Sequence, residues 1–115
     1  MKFYGYRKCG TCRKAQKFLD GKNIDYKELD IIQTPPPKSV LKKAMRQYGM
    51  RKMFNTSGEQ YKVMNIKDRI KTFTESQALD LLATNGRLVK RPIAVHDNTI
   101  TVGFNEDDYK ATWTG

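Results

Sequence analysis

One polar residue followed by an aromatic-rich run makes Lys2 to Tyr6 read as a strand. The pattern then changes. Cys12, Ala15, Phe18 and Leu19 recur at helical spacing between Thr11 and Asp20, with Gly21 placed to close the helix, and Tyr26 to Asp30 reads as a second strand. Thr34-Pro35-Pro36-Pro37 is a stiff, extended connector. Beyond it, Val40, Leu41, Ala44, Met45 and Tyr48 mark another helix, and Gly49 supplies a left-handed C-terminal stop. Periodicity is poor from Met50 to Thr72, where short helices and loops are expected around a turn at Asn55-Thr56-Ser57-Gly58. Thr74-Glu75-Ser76-Gln77 forms a capping box ahead of Ala78, Leu79, Leu81 and Leu82, and Gly86 is read as the end of that helix. Ile93 to His96 and Thr99 to Val102 are β-rich and separated by Asp97-Asn98, which predicts a hairpin. Asn105 to Asp108 offers a cap and an acidic first turn for a last helix through Trp113. The order β-α-β, helical insert, β-β-α places the chain in the α/β class, with a mixed sheet of about four strands flanked by helices.

At 115 residues, the chain is sized for one domain over 1–115, interrupted by a helical insert from about 38 to about 88. With 38% hydrophobic and 30% charged residues it falls outside the disordered and fibrous classes. Met1 to Lys8 lacks the apolar stretch of a signal peptide, and no later run is long enough to span a bilayer, so a cytoplasmic location and no membrane partner are expected. The net charge of +10 raises nucleic acid as a partner. However, the basic residues are scattered, the clusters Lys42-Lys43 and Arg51-Lys52 are short, and none forms a nucleic-acid motif. A solvated basic surface on a monomer, without direct nucleic-acid contact, is the reading.

The chemistry sits in Cys9-Gly10-Thr11-Cys12, at the junction of a predicted strand and a predicted helix. Amide groups at a helix N-terminus stabilise an anion, and Arg7, Lys8 and Arg13 add positive charge, so both favour thiolate over thiol. Cys12 falls on the core side of the helix with Ala15 and Leu19, while Cys9 lies at or before the first turn. This makes Cys9 the attacking sulfur and Cys12 the resolving one. Alternatives remain. A zinc site needs about four ligands, whereas the chain offers this pair and a lone histidine, His96, so no metal is assigned. Two buried structural thiols, or a structural disulfide in an oxidising compartment, are the other readings. His96 is read as an ordinary surface residue, and Arg91-Pro92, by pattern alone, as an exposed arginine and a proline opening a strand.

Three stretches together, Tyr4-Gly5-Tyr6-Arg7-Lys8-Cys9-Gly10-Thr11-Cys12-Arg13-Lys14-Ala15, Lys90-Arg91-Pro92-Ile93 and Val102-Gly103-Phe104-Asn105-Glu106-Asp107, resemble the ArsC/Spx family, in particular its Spx/MgsR and YusI-like branch. Phe54-Asn55-Thr56-Ser57-Gly58 in the insert fits the same branch. The resemblance implies a thioredoxin-like fold with a helical insert, a cis proline at Pro92 beside the dithiol, and a thiol-disulfide oxidoreductase with Cys9, Cys12 and Arg91 as catalytic residues. Gly10, Thr11, Arg13 and Pro92 are then the substrate-binding residues, no cofactor is required, and a small thiol, thioredoxin or glutaredoxin is the electron donor. In the arsenate reductase branch the arginine matched by Arg91 helps hold the oxyanion, and two further arginines fall near Asn55 and Phe104 here. Losing two charge-assisted contacts of about 1.5–3 kcal/mol each weakens arsenate binding. That branch also carries serine where Cys12 stands. The alternative implied by the resemblance is an Spx-like redox-sensing regulator that binds the C-terminal domain of the RNA polymerase alpha subunit, with Gly49 near the contact.

Overall fold

The computed structural model describes residues 1–114; Gly115, the end of the expected domain, lies outside the described residues. Strand β1 (Lys2–Gly5) leads into helix α1 (Gly10–Gly21) and then β2 (Lys27–Asp30), which pairs parallel to β1. Helix α2 (Lys38–Tyr48) follows the proline connector, whose Pro37 is extended at φ −60° and ψ 153°. The weakly periodic stretch resolves into short elements: a tight turn at Arg51–Met53, α3 (Glu59–Val63), α4 (Ile66–Arg69) and a second tight turn at Ile70–Thr72. Helix α5 (Glu75–Thr84) then precedes the hairpin of β3 (Ile93–His96) and β4 (Thr99–Val102), and α6 (Glu106–Trp113) ends the described fold. None of these helices is long and apolar enough to cross a membrane.

The strands form one mixed sheet in the order β2-β1-β3-β4, with β1 antiparallel to β3 and β3 antiparallel to β4. Strand alternation sends neighbouring residues to opposite faces. Tyr4, Ile93, Val95, Ile100 and Val102 pack under the insert with Leu41, Met45, Leu79 and Leu82. Phe3 and Ala94 join Cys12, Ala15, Leu19 and Tyr109 from α1 and α6 on the other face. Each face therefore has its own apolar layer, and Cys12 is part of one of them.

The chain punctuation follows the expected chemistry at several ends. Thr74 and Gln77 complete the capping box, each side chain bonded to the other's backbone N–H. Asn105 Oδ1 accepts from the Asp108 N–H at 3.0 Å. The hairpin closes through Asp97 at φ +52°, with His96 opposite Thr99.

Three glycine readings need correction. Gly21 is the last residue of α1 rather than its stop, and the reversal occurs at Asn23, whose φ is +56°. Gly49 has a positive φ of 94°, but its ψ of 155° is extended and not that of a left-handed helical cap. Gly86 does not end α5, which closes at Asn85; it begins a tight turn that presses against the chain after β2. A Cβ at Gly86 would stand 1.9 Å from the Ile31 carbonyl oxygen. The glycine is there for a close approach to the Ile31 backbone, a non-local requirement that turn patterns do not carry.

Gly86→Ala is therefore expected to destabilise the fold by at least about 2 kcal/mol, the scale of overpacking in a filled core. Gly21→Ala meets nothing within 4 Å and is expected to be neutral or stabilising by about 0.5 kcal/mol. Urea unfolding of both variants checks the contrast.

Candidate active site

Cys9 caps α1, with φ −89° and ψ 116°, and its Sγ accepts the Cys12 N–H at 3.4 Å. A sulfur at this position faces the unsatisfied amide end of the helix. Cys9 is half-buried, whereas Cys12 is 1% exposed in the layer formed by Phe3, Ala15 and Leu19. The two thiols are thus adjacent but live in different surroundings.

Strand register explains how a distant cation reaches them. Lys2, Phe3 and Tyr4 pair with Val95, Ala94 and Ile93. Continued by two positions, the same register sets Arg91 across from Tyr6, immediately before the dithiol turn. The Arg91 guanidinium carbon lies 5.1 Å from the Tyr6 ring centroid, within cation–π range. The Arg91 side chain also acts on Cys9, lowering its thiol. Tyr6 contributes its carbonyl as well, accepting the Cys9 N–H at 3.0 Å. The Arg91–Pro92 peptide is cis, and Pro92 is buried while Arg91 is half-buried, so the exposed arginine read from pattern alone gives way to the arrangement the resemblance implies.

Partial burial, taken alone, raises the Cys9 thiol; hydrogen bonds from the Cys12 side chain and backbone, then the bond and charge of Arg91, outweigh it and leave Cys9 below the ordinary cysteine value. Cys12 goes the other way. Burial, its hydrogen bond to Cys9 and the Cys9 charge push it up to about 12. One sulfur is shifted toward thiolate and the other toward thiol.

The remaining predicted residues sort by position. Gly10, Thr11 and Arg13 lie exposed on the first turn of α1, flanking the sulfurs, and Pro92 packs beneath Arg91 at the start of β3. His96 is exposed at the hairpin, 3.6 Å from the Asp97 carboxylate. Among the described residues, no group of three or more His, Cys, Asp and Glu side chains converges.

The ArsC family model matches residues 4–112. The chain belongs to the ArsC family. It is 42% identical over 113 residues to the uncharacterized protein YusI of Bacillus subtilis (strain 168), with 96% of each chain covered. It is 28% identical over 105 residues to the regulatory protein MgsR of the same organism, covering 90% of this chain and 82% of that one. The crystal structure of a possible arsenate reductase from Streptococcus mutans UA159 is 36% identical and superposes with a TM-score of 0.86, over 95% of this chain and 96% of that one. The thioredoxin-like mixed sheet expected from the resemblance is the fold observed.

Within this ArsC-family chain, Asn55 and Phe104 bring no cation to the dithiol. The Asn55 N–H donates to the Leu88 carbonyl at 2.7 Å and its Oδ1 accepts from Ser57, both within the insert. The Phe104 ring sits 4.8 Å from that of Tyr109 in an edge-on contact.

Two residues of the site escape pattern reading. Tyr6 looks like one more strand aromatic until the β1–β3 register is known, because its partner is 85 residues away in sequence, from position 6 to position 91. Tyr109, wholly buried in the Cys12 layer, has a hydroxyl without a hydrogen-bond partner among the described residues. Burial raises its phenol above the usual range, so it faces Cys12 as a neutral group.

The alkylation rate of Cys9 against pH is expected to have its midpoint below that of an isolated cysteine, which iodoacetamide kinetics on the Cys12→Ser form will measure. A hydrogen bond to a charged group is worth about 1.5–3 kcal/mol, so Arg91→Ala slows the reaction at neutral pH by about tenfold or more. Tyr6→Ala shifts the profile in the same direction by less, and Tyr6→Phe, which keeps the ring, leaves it in place. Stability of the reduced protein follows the same asymmetry. The Cys9 contribution is present above the ordinary cysteine value and is lost as pH falls through its lowered one, whereas that of Cys12 is complete below the ordinary value and fades as pH rises toward about 12.

Proposed function

We propose that this ArsC-family protein is a cytoplasmic, monomeric thiol-disulfide oxidoreductase, one domain over 1–115 with its helical insert, in which Cys9 attacks and Cys12 resolves. The observation that carries this reading is the opposed tuning of two adjacent sulfurs: a half-buried Cys9 held toward thiolate by the helix end and Arg91, and a buried Cys12 held as thiol.

The Cys9 thiolate attacks one sulfur of a substrate disulfide, and the other sulfur departs as a thiolate that takes a proton from water. Arg91, aligned by Tyr6, stabilises the Cys9 anion before attack and steadies the departing one. Bond formation removes the Cys9 charge, which is one of the causes that hold Cys12 up. Cys12 then loses its proton more readily, attacks the Cys9 Sγ and expels the second substrate thiolate. Two electrons have passed to the substrate, and the protein carries a Cys9–Cys12 disulfide. A small thiol, thioredoxin or glutaredoxin returns it to the dithiol. Gly10, Thr11 and Arg13 present the substrate at the open end of α1, and Pro92 shapes its other wall.

Disulfides suit this site better than arsenate. Arg91 is a single cation at Cys9, and the positions that carry arginine in the arsenate reductase branch hold Asn55 and Phe104, engaged elsewhere. The relationship to the regulatory protein MgsR favours a second reading, a redox-sensing regulator that binds the RNA polymerase alpha subunit. The exposed basic pair Arg51-Lys52 beside Gly49 weighs against that contact, where Spx looks acidic.

Oxidant titration with mass analysis tests the assignment. Wild type is expected to form an internal disulfide, losing two hydrogens, and Cys12→Ser to accumulate a mixed disulfide with a small thiol at Cys9. Cys9→Ser is expected to lose disulfide reduction to the uncatalysed rate. Full activity in Cys9→Ser overturns the proposal.

A further inference from the structure

Beside the dithiol the surface is hollowed in a way the two-sulfur chemistry does not require. One hollow of about 770 Å³ begins at Thr11, between the two cysteines, and runs past Gly103 and Phe104 to Tyr48, Lys52 and Lys90. A second, of about 570 Å³, shares Tyr48, Lys52 and Lys90 and continues over Met50, Arg51 and Phe54. The shared residues join them into one open groove that starts at Thr11, on the first turn of α1 between the two cysteines in sequence, and extends onto the insert.

The groove has an apolar floor and a basic rim. Tyr48 and Met50 are half-buried members of the apolar layer under the insert, and the buried Phe54 lines the same hollow. Arg51 and Lys52 are exposed and Lys90 is half-buried, and none of the three is in an ion pair among the described residues. Other cations of the same region are neutralised: Lys38 pairs with Asp80 and Arg46 with Glu75. Lys52 is instead held over the Tyr48 ring, 5.8 Å from its centroid, so its charge stays on the rim. The carboxylates of Asp107 and Asp108 line only the stretch at the start of α6. On a chain of net charge +10, these free cations give the insert half of the groove a positive potential.

Building on Cys9 as the attacking sulfur, we propose that this groove binds an extended, acidic segment of a protein whose oxidised cysteine is delivered to Cys9. A small disulfide meets only the end at Thr11. A chain several residues long also covers the apolar floor and sets its carboxylates against Arg51, Lys52 and Lys90, with backbone and side chains sharing the recognition.

Steady-state reduction of synthetic peptide disulfides tests this. At low salt, a peptide with acidic residues flanking its cysteine is expected to have a kcat/KM about tenfold above that of its basic counterpart, about 1.4 kcal/mol, with the preference shrinking as salt rises. Lys52→Glu is expected to abolish or invert that preference without changing reduction of hydroxyethyl disulfide, a small neutral substrate. Lys27→Glu makes the same charge change on β2, the opposite edge of the sheet from β4, and is expected to keep the preference. Equal loss in both variants assigns the effect to overall charge and overturns the groove. A full preference for a small dicarboxylate disulfide overturns the peptide segment as occupant, and no preference in wild type overturns both. Failure of hydroxyethyl disulfide reduction itself, by contrast, would fall on the oxidoreductase reading.

Discussion

The antiparallel pairing of β1 with β3 is the constraint on which the site depends. Local sequence places Cys9 at the amino end of α1, and helix-end amides alone favour an anion there by only about 0.3–1 kcal/mol. The Arg91 guanidinium, set beside the sulfur, adds a further lowering influence after the contacts from Cys12. Arg91 reaches that position because Tyr4 pairs with Ile93 and the register carries on to set Arg91 over Tyr6. A shift of one residue would turn Arg91 to the other face of the sheet and leave Cys9 with the helix end alone.

The same packing separates the two sulfurs energetically. Cys12 lies one helical turn further on, in an apolar layer completed by Phe3, Leu19 and Tyr109, and burial there opposes its ionisation. The Cys9 charge adds to that opposition for as long as Cys9 is a free thiolate. Sequential reactivity then needs no moving part: attack by the first sulfur consumes the charge that restrains the second. The insert, packed on the opposite face, leaves this arrangement untouched and contributes the wall of the groove that leads away from it.

Much of this was legible in the chain because its signals are local. The capping box at Thr74, the Asn105 cap, the Asp97-Asn98 turn and the helical spacing of Ala15, Phe18 and Leu19 each involve residues within a few positions of one another, and each element appears where that chemistry places it. Cys9 and Cys12 were legible for the same reason. The pattern was silent where the cause is tertiary. Gly86 is demanded by the Ile31 carbonyl, 55 positions away in the chain, Tyr6 by an arginine just before β3, and the unpartnered Tyr109 hydroxyl by burial in the layer of α1 and the sheet. Arg91 became visible only through its resemblance to a family pattern, since nothing in the spacing of Arg91-Pro92 points back to position 9.

The account stands on Cys9 titrating below the ordinary cysteine value while Cys12 titrates well above it. Ultraviolet titration of thiolate absorbance in the fully reduced wild-type protein measures this directly. One thiolate, lost in Cys9→Ser and kept in Cys12→Ser, is expected to titrate below the ordinary cysteine value, and the second to appear only near pH 12. Two sulfurs titrating together at the ordinary value would contradict the account.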